Sequence, residues 1–177
     1  IVLLALKYAA YVVTGSAAIL SDALESIINV VASVFALFSV YLSALPADEN
    51  HPYGHGKIED FSAGFEGALI LLAGVLIVAT SIPKLSEPPP LHSLELGALL
   101  VLAASAVNLL LGLHLLRQGK LTASPAITAD GKHLLTDVWT SVGALIGLGL
   151  VRLTGRLWLD PAIAILLGLN IFAQGFR

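Results

Sequence analysis

The 177-residue chain has no cysteine and no methionine, and few of its residues are charged. Without cysteine, the chain has neither a disulfide framework nor a metal site ligated by thiolates, and its redox compartment cannot be inferred. Only 12% of the residues are charged, about half of the roughly 25% that is usual in soluble domains. The net charge of −3 comes without a basic stripe, which excludes nucleic acid as a natural partner.

An initiator residue and a charged leader are also lacking, since the chain begins at Ile1 inside an apolar run. We therefore expect a trimmed piece of a longer sequence, with the first helix truncated.

What the chain has in abundance is apolar surface: 57% of the residues are hydrophobic and the mean hydropathy is +0.91. A membrane-spanning helix needs about 20 apolar residues, and the runs here are too long and unbroken for barrel strands. The sequence predicts an all-α membrane protein, a bundle of six transmembrane helices. The predicted segments are Ile1–Thr14, Ala17–Ala44, Ile58–Ile82, Leu91–Leu116, Pro125–Leu153, and a sixth from Asp160 to the chain end.

The segment limits come from proline and from capping residues. Pro83 and the run Pro88–Pro90 are expected to end the third helix, and Asp160 is expected to cap the sixth, with Pro161 at its first position. The connections are short, so neighbouring helices are predicted to be antiparallel, and residues 1–177 are predicted to form one transmembrane transport domain.

The basic residues in the connections indicate the orientation. One side holds five of them and the other side three, which favours the first side as cytoplasmic. We expect an integral protein of the bacterial inner (plasma) membrane with cytoplasmic termini. The five are Lys57, Arg117, Lys120, Lys132 and Arg177, and the three are Lys84, Arg152 and Arg156.

Two of the predicted helices carry polar side chains at membrane depth, where an ionisable group usually marks function. The second helix has Asp22, Glu25, Ser26 and Asn29 on one face, and the fifth has His133 and Asp137 four residues apart. At about 1.5 Å per residue, Glu25, Asn29, His133 and Asp137 all reach the middle of a core about 30 Å thick. Two carboxylates, an amide and an imidazole then form a four-coordinate site for a first-row divalent ion. Asp22 and Ser26 are expected to support it.

The loop after the second helix is a second candidate metal site. Asp48, His51 and His55 offer one carboxylate and two imidazoles in a turn-rich segment, with Lys57 as a supporting residue. His92 and His114 stand apart and are expected at interfaces or in packing.

Three stretches resemble the cation diffusion facilitator (cation efflux) family. They are Ser16–Glu25 leading to Asn29, the loop from Ala47 to Lys57 with Glu59, and Ala129–Asp130 leading to His133 and Asp137. The resemblance implies a transport site at the two helix pairs and a second site in the loop. It further implies metal efflux by metal/proton antiport with alternating access, in a homodimer. From the same resemblance we expect the family's cytoplasmic C-terminal metal-binding domain to lie outside residues 1–177.

The metal is predicted from the donor set. Glu25 and Asn29 replace the His or Asp, then Asp, that zinc members commonly have, and harder oxygen donors favour Mn²⁺ or Fe²⁺ over zinc. We expect Mn²⁺ or Zn²⁺, with Fe²⁺, Co²⁺ and Cd²⁺ as further candidates, and no catalytic cofactor. Because ligands must lose their protons to bind metal and imidazole titrates near neutrality, His133 is the first candidate for the exchanged proton. Glu66 either relays protons or faces water.

The sequence fits two other function classes less well. An intramembrane metalloenzyme is expected to carry HExxH, whereas His133 is followed by Leu134. A non-transporting membrane scaffold does not account for opposed ligand pairs at one depth. We therefore predict a transporter and not an enzyme.

Overall fold

A computed structural model of the chain describes residues 1–48, 51–121 and 125–175, without the side chains of residues 59, 125–127, 129 and 130. Glu49, Asn50 and Arg177, which entered the loop motif and the charge count, lie outside the described residues, as do the side chains of Glu59, Ala129 and Asp130. All regular structure within the described residues is helical. The helices are α1 (Val2–Thr14), α2 (Ala17–Ser43), α3 (Lys57–Ser86), α4 (Leu94–Leu121), α5 (Pro125–Thr154) and α6 (Leu159–Gln174).

Four of the helices contain stretches that are long and apolar enough to cross a membrane: Ala17–Ser43, Asp60–Ser86, Leu94–Leu121 and Gly131–Thr154. At about 1.5 Å per residue each exceeds a hydrocarbon core about 30 Å thick. Helices α1 and α6 are apolar but shorter. The prediction of an all-α membrane bundle with six helices is confirmed.

Helix α2 lies at the centre of the bundle and contacts α1, α3, α5 and α6. Around it, α4 packs most extensively against α5, and α3 against α6. Both pairs rely on glycine: a Cβ at Gly74 would lie 2.6 Å from Phe172 Cβ, and one at Gly131 would lie 2.8 Å from the Leu116 nitrogen. Such close backbone approach is the usual way for helices to associate in lipid, because the burial of apolar surface gives no driving force there.

The two ends of the bundle differ in their connections. The end with the segment between α2 and α3 is called the loop side, and the end with the turn between α1 and α2 is called the turn side. Gly15 makes that turn with φ of 71°, a left-handed conformation that favours glycine. On the turn side the backbone of His92 donates to the Thr14 carbonyl at 3.0 Å.

The prediction that Pro83 ends the third helix is wrong, since Pro83 lies inside α3, which continues to Ser86. A proline deletes one backbone hydrogen bond, a loss that membrane helices tolerate. The chain keeps its helical course long enough for the Glu87 amide to donate to the Pro83 carbonyl at 3.3 Å. The run of prolines from 88 onward follows directly. Helix α4 is also shifted relative to its prediction, beginning at Leu94 and ending at Leu121.

The predicted cap of the sixth helix is wrong as well. Helix α6 begins at Leu159 with Trp158 as its N-cap, so Asp160 and Pro161 lie inside its first turn. Proline is tolerated there because the first amides of a helix have no intrahelical acceptor.

The Asp160 carboxylate is directed instead to the beginning of α2. Its oxygens accept hydrogen bonds from the Ser16 hydroxyl and from the amides of Ala17 and Ala18, the latter two at 2.6 and 3.3 Å. Ser16 in turn accepts from the Ile19 amide at 3.2 Å. A carboxylate at a helix N-terminus satisfies orphan amides and matches the positive end of the helix dipole. Asp160 thereby ties α6 to α2 on the turn side.

Candidate functional site

The polar face of α2 is buried at the level where α5 crosses it. Asp22 and Glu25 are 1% and 7% exposed, while Ser26 and Asn29 are half-buried. The Ser26 hydroxyl donates to the Asp22 carbonyl on its own helix at 3.1 Å. Because these residues recur at spacings of three and four, one helical face presents all of them to the neighbouring helices.

The pair on α5 meets this face. The Nδ2 atom of Asn29 lies 3.3 and 3.5 Å from the two carboxylate oxygens of Asp137. The Nε2 atom of His133 lies 3.9 Å from Asp137 Oδ1. Two ligands of one tetrahedral ion, each about 2.0–2.2 Å from it, are separated by roughly 3.4 Å or slightly more. The distance of 3.3 Å between Asn29 and Asp137 matches this separation, and the distance of 3.9 Å between His133 and Asp137 is slightly longer. Sharing an ion would require the Asn29 amide to turn over and present its oxygen.

Glu25 completes the group. With Asn29, His133 and Gln174 it lines a small cavity of about 10 Å³, close to the space of one water molecule. Its Oε2 atom is buried and has no hydrogen-bond partner among the described residues. A buried carboxylate oxygen without a partner is costly, and a cation or a proton at that position would relieve the cost. Glu25, Asn29 and His133 thus line one small cavity, and Asp137 lies beside Asn29 and His133.

A larger cavity of about 390 Å³ leads to this group from the loop side. It lies between α1, α2, α4 and α5, and its wall includes Asn29, His133 and Asp137. The other lining residues come from the beginning of α1, the middle and second half of α2, and the middle of α4: Ile1, Leu3, Leu4, Ser26, Val30, Ser33, Val34, Asn108 and Leu134. These parts of the helices lie toward the loop side of the bundle.

On the turn side of this group, the interior of the bundle is filled by a buried ion pair. Lys7 Nζ donates to Asp22 Oδ1 at 2.7 Å, and the Ser141 hydroxyl lies 2.9 Å from each Asp22 oxygen. The side chains of Lys7 and Asp22 are 1% and 0% exposed. Asp22, expected to support the site, is therefore held by a cation and a hydroxyl rather than directed into the cavity.

The loop residues Asp48, His51 and His55 also come together. Their ligand atoms all lie within 4.8 Å of one another, with His51 Nδ1 2.9 Å and His55 Nε2 3.6 Å from the Asp48 carboxylate. The Nδ1 atom of His55 is buried and lacks a partner within the described part of the chain. Lys57, predicted to support this cluster, is the exposed first residue of α3 and borders an open pocket with His51.

Sequence reasoning missed three residues around the central group. Lys7 donates to Asp22, Gln174 lines the small cavity with Glu25, and Asn108 lines the large cavity. Lys7 could have been found, because it is the one charged side chain in the apolar run of α1. Asn108 and Gln174 are neutral and lack a clustered partner in sequence, so only their placement reveals them.

The remaining candidates lie away from the central group. Glu66 lines a groove between α3 and α6 together with Gln174. His92 and His114 are exposed, in agreement with their expected interfacial positions.

Comparisons with known proteins agree with this architecture. Residues 1–177 match the sequence profile of the cation efflux transmembrane domain. The chain is 45% identical over 170 residues to a transporter designated sll1263 of Synechocystis sp., covering 96% of the chain and 55% of that protein. It is 31% identical over 176 residues to the cation-efflux pump FieF of Shewanella oneidensis, covering 98% of the chain and 58% of the pump.

A third relative is the metal cation efflux system protein CzcD of Cupriavidus metallidurans, 30% identical over 167 residues, covering 92% of the chain and 51% of that protein. The chain thus spans between half and three fifths of the length of these relatives. Their names describe transporters and pumps, which agrees with the prediction that the chain is not an enzyme. With a profile match over its whole length and a bundle of apolar helices around a polar centre, the chain belongs to the cation efflux family and corresponds to its transmembrane domain.

Proposed function

We propose that the chain is the membrane domain of an efflux transporter for divalent transition-metal ions, and that the ion binds between Glu25, Asn29, His133 and Asp137. The observation that carries the proposal is the convergence of these four side chains from α2 and α5 in the bundle interior. Each of the four is a residue type that binds metals. An ionisable group inside a membrane bundle is energetically costly, and its presence there usually marks a functional site. The names of the cation-efflux relatives support the same cargo class.

The donor set bears on the metal. Carboxylate and amide oxygens with a single imidazole form a harder set than one rich in histidine or cysteine. We rank Mn²⁺ and Zn²⁺ close together as cargo, with Fe²⁺, Co²⁺ and Cd²⁺ behind them.

Coupling to protons follows from the same residues. Metal and protons compete for carboxylate and imidazole, because a ligand must be deprotonated to bind metal. We propose that protons arriving from the turn side displace the ion, and that deprotonation on the loop side restores the site. His133 is the first candidate for carrying the exchanged proton, since its imidazole can bind either the ion or a proton.

The cavity supports alternating access. Asn29, His133 and Asp137 border a cavity on the loop side, while the Lys7–Asp22 pair and the Asp160 cap fill the turn side. We propose that this arrangement is one end state of the cycle and that the turn side opens in the other. The distribution of basic residues supports a cytoplasmic loop side, and we propose a bacterial inner membrane as the location. A homodimer is what the family resemblance implies.

The loop cluster is proposed as a second metal site. Asp48, His51 and His55 already hold their ligand atoms within 4.8 Å, and binding needs little rearrangement of the backbone. An ion held there would rigidify the α2–α3 connection on the side where metal enters.

The proposal is tested by metal uptake into vesicles containing the purified protein and a pH indicator. The parent protein is expected to move Mn²⁺ or Zn²⁺ with counterflow of protons. His133→Ala and Asp137→Ala each remove one donor and are expected to reduce uptake at subsaturating metal by at least about tenfold.

His114→Ala is the matched control, because it removes an exposed histidine of α4 and is expected to leave uptake unchanged. Uptake by both site variants at the parent's rate would contradict the proposed site. Metal movement without proton counterflow at any pH would contradict the coupling.

A further inference from the structure

Asn108 is a polar side chain near the middle of α4, a helix to which neither metal cluster belongs. It is 2% exposed and contributes to the wall of the 390 Å³ cavity, together with Asn29, His133 and Asp137. Its position in an apolar helix of a membrane bundle is unfavourable unless the amide has a partner.

The Asn108 amide oxygen has no such partner. Its Oδ1 atom is buried and makes no hydrogen bond to any residue that the structure describes. The contrast with Ser105, one turn earlier and 6% exposed, is informative, because the Ser105 hydroxyl donates to the Val101 carbonyl at 2.8 Å. A buried acceptor left unsatisfied is rare in native proteins and calls for an explanation such as an ion or a ligand.

A structural role for Asn108 would leave a different signature. Asparagine that holds membrane helices together does so by hydrogen bonds across the helix interface. The nearest helix, α5, instead approaches α4 through glycine, with a Cβ at Gly112 only 3.1 Å from the Gly131 carbonyl oxygen. Close packing of the two helices is therefore achieved without the Asn108 oxygen.

We infer that Asn108 binds the transported divalent cation in the cavity through Oδ1, directly or through a water of the ion's hydration shell. The inference rests on the proposed function and extends the metal path from α2 and α5 to α4. An amide oxygen is a hard donor of the kind that Mn²⁺ accepts readily and that a thiolate- or imidazole-preferring ion accepts less well. Asn108 is therefore a residue that biases the transporter toward the harder cation.

The test is uptake of Mn²⁺ and of Zn²⁺ by vesicles with purified Asn108→Leu, Asn108→Asp and the parent. Leucine has nearly the same shape and no oxygen. Asn108→Leu is expected to raise the KM for Mn²⁺ by on the order of tenfold and to raise the KM for Zn²⁺ less. Ser105→Ala, which removes a satisfied buried hydroxyl from the same helix, is the control and is expected to keep both KM values.

Asn108→Asp retains an oxygen donor and adds charge, so it is expected to retain uptake with an altered ratio of Mn²⁺ to Zn²⁺ transport. If Asn108→Leu does not fold, the ratio of Mn²⁺ to Zn²⁺ transport in Asn108→Asp tests the inference by itself. A substitution at a purely structural residue would change the amount of folded protein but not the preference between ions. If the parent transports metal and the Asn108 variants keep its KM values and its ratio of Mn²⁺ to Zn²⁺ transport, this inference is overturned while the proposed function stands. A parent that transports none of Mn²⁺, Zn²⁺, Fe²⁺, Co²⁺ and Cd²⁺ would overturn the proposed function, and this inference with it.

Discussion

Lys7 determines the charge balance at the centre of the bundle. It is paired with Asp22 at 2.7 Å, and both side chains are almost completely buried. With that pair neutral as a whole, Glu25 and Asp137 are left to supply the two negative charges that one divalent cation neutralises. The ion pair also keeps Asp22 from competing as a ligand, although it lies only one turn from Glu25.

The Lys7–Asp22 ion pair leads to a prediction at the scale of single residues. Breaking a buried ion pair by removing one partner typically costs about 3–5 kcal/mol, whereas replacing both partners by neutral groups costs much less. Lys7→Met is therefore expected to lower the free energy of unfolding by about that amount, and Lys7→Met/Asp22→Asn to recover most of it. Unfolding in detergent measures both. A double variant less stable than Lys7→Met would show that the two side chains do not act as a pair.

At the scale of the helix, the start of α2 depends on a residue distant in sequence. Asp160 is separated from Ser16 by 144 positions yet supplies acceptors for the first amides of α2. Local rules assign such an aspartate, followed by proline, to the cap of its own helix. Helix α6 begins two residues earlier than those rules predict, which frees the carboxylate for its neighbour.

Asp160→Asn tests this tie between helices. An amide offers one acceptor instead of two and no charge to match the helix dipole, so the loss is expected to be about 1–2 kcal/mol of stability. Glu95→Gln is the control: Glu95 pairs with Arg152 on the same side, but their side chains are 77% and 58% exposed, and such pairs contribute about 0–1 kcal/mol. Thermal unfolding in detergent compares the two. Equal effects would mean that Asp160 contributes no more than a surface charge.

Helix existence and type were predictable, whereas some limits were not. Apolar runs longer than a bilayer is thick leave the backbone no alternative to helix, which accounts for the prediction of α2 to α5. The shorter helices α1 and α6 were predicted from their apolar composition. Pro83 was misread because its effect depends on neighbouring helices that compensate the lost hydrogen bond. The contact between Asp160 and α2 is tertiary, and periodicity along one segment carries no information about it.

At the scale of the whole molecule, the cavity gives the bundle two unequal sides. Ser33 lies on its wall toward the loop side, whereas Ala144 is completely buried on α5, about two turns beyond Asp137 toward the turn side.

The meeting of α2 with α5 was predictable because helix rise and bilayer thickness fix the depth of each pair. The contributions of α4 and α6 were not, since each rests on a single neutral residue, Asn108 and Gln174. Lys7 of α1 was recognisable as the one charged side chain of its helix.

Because the chain has no cysteine, single cysteines can report which side is open. Ser33→Cys is expected to react rapidly with a small polar thiol reagent in detergent, and Ala144→Cys to be protected. Leu153→Cys, at a position 84% exposed at the turn-side end of α5, shows that the reagent reaches that side. Saturating metal is expected to slow labelling at Ser33→Cys. Equal labelling of Ala144→Cys and Ser33→Cys without metal would contradict a closed turn side.

The pairing of Lys7 with Asp22 also bears on biosynthesis. A lysine inside an apolar helix such as α1 opposes the partitioning of that helix into lipid by about 2.5–3.5 kcal/mol on insertion scales. Its counter-ion follows only 15 residues later, on the next helix. The first two helices therefore gain by leaving the translocon together, as a hairpin whose charges are already matched.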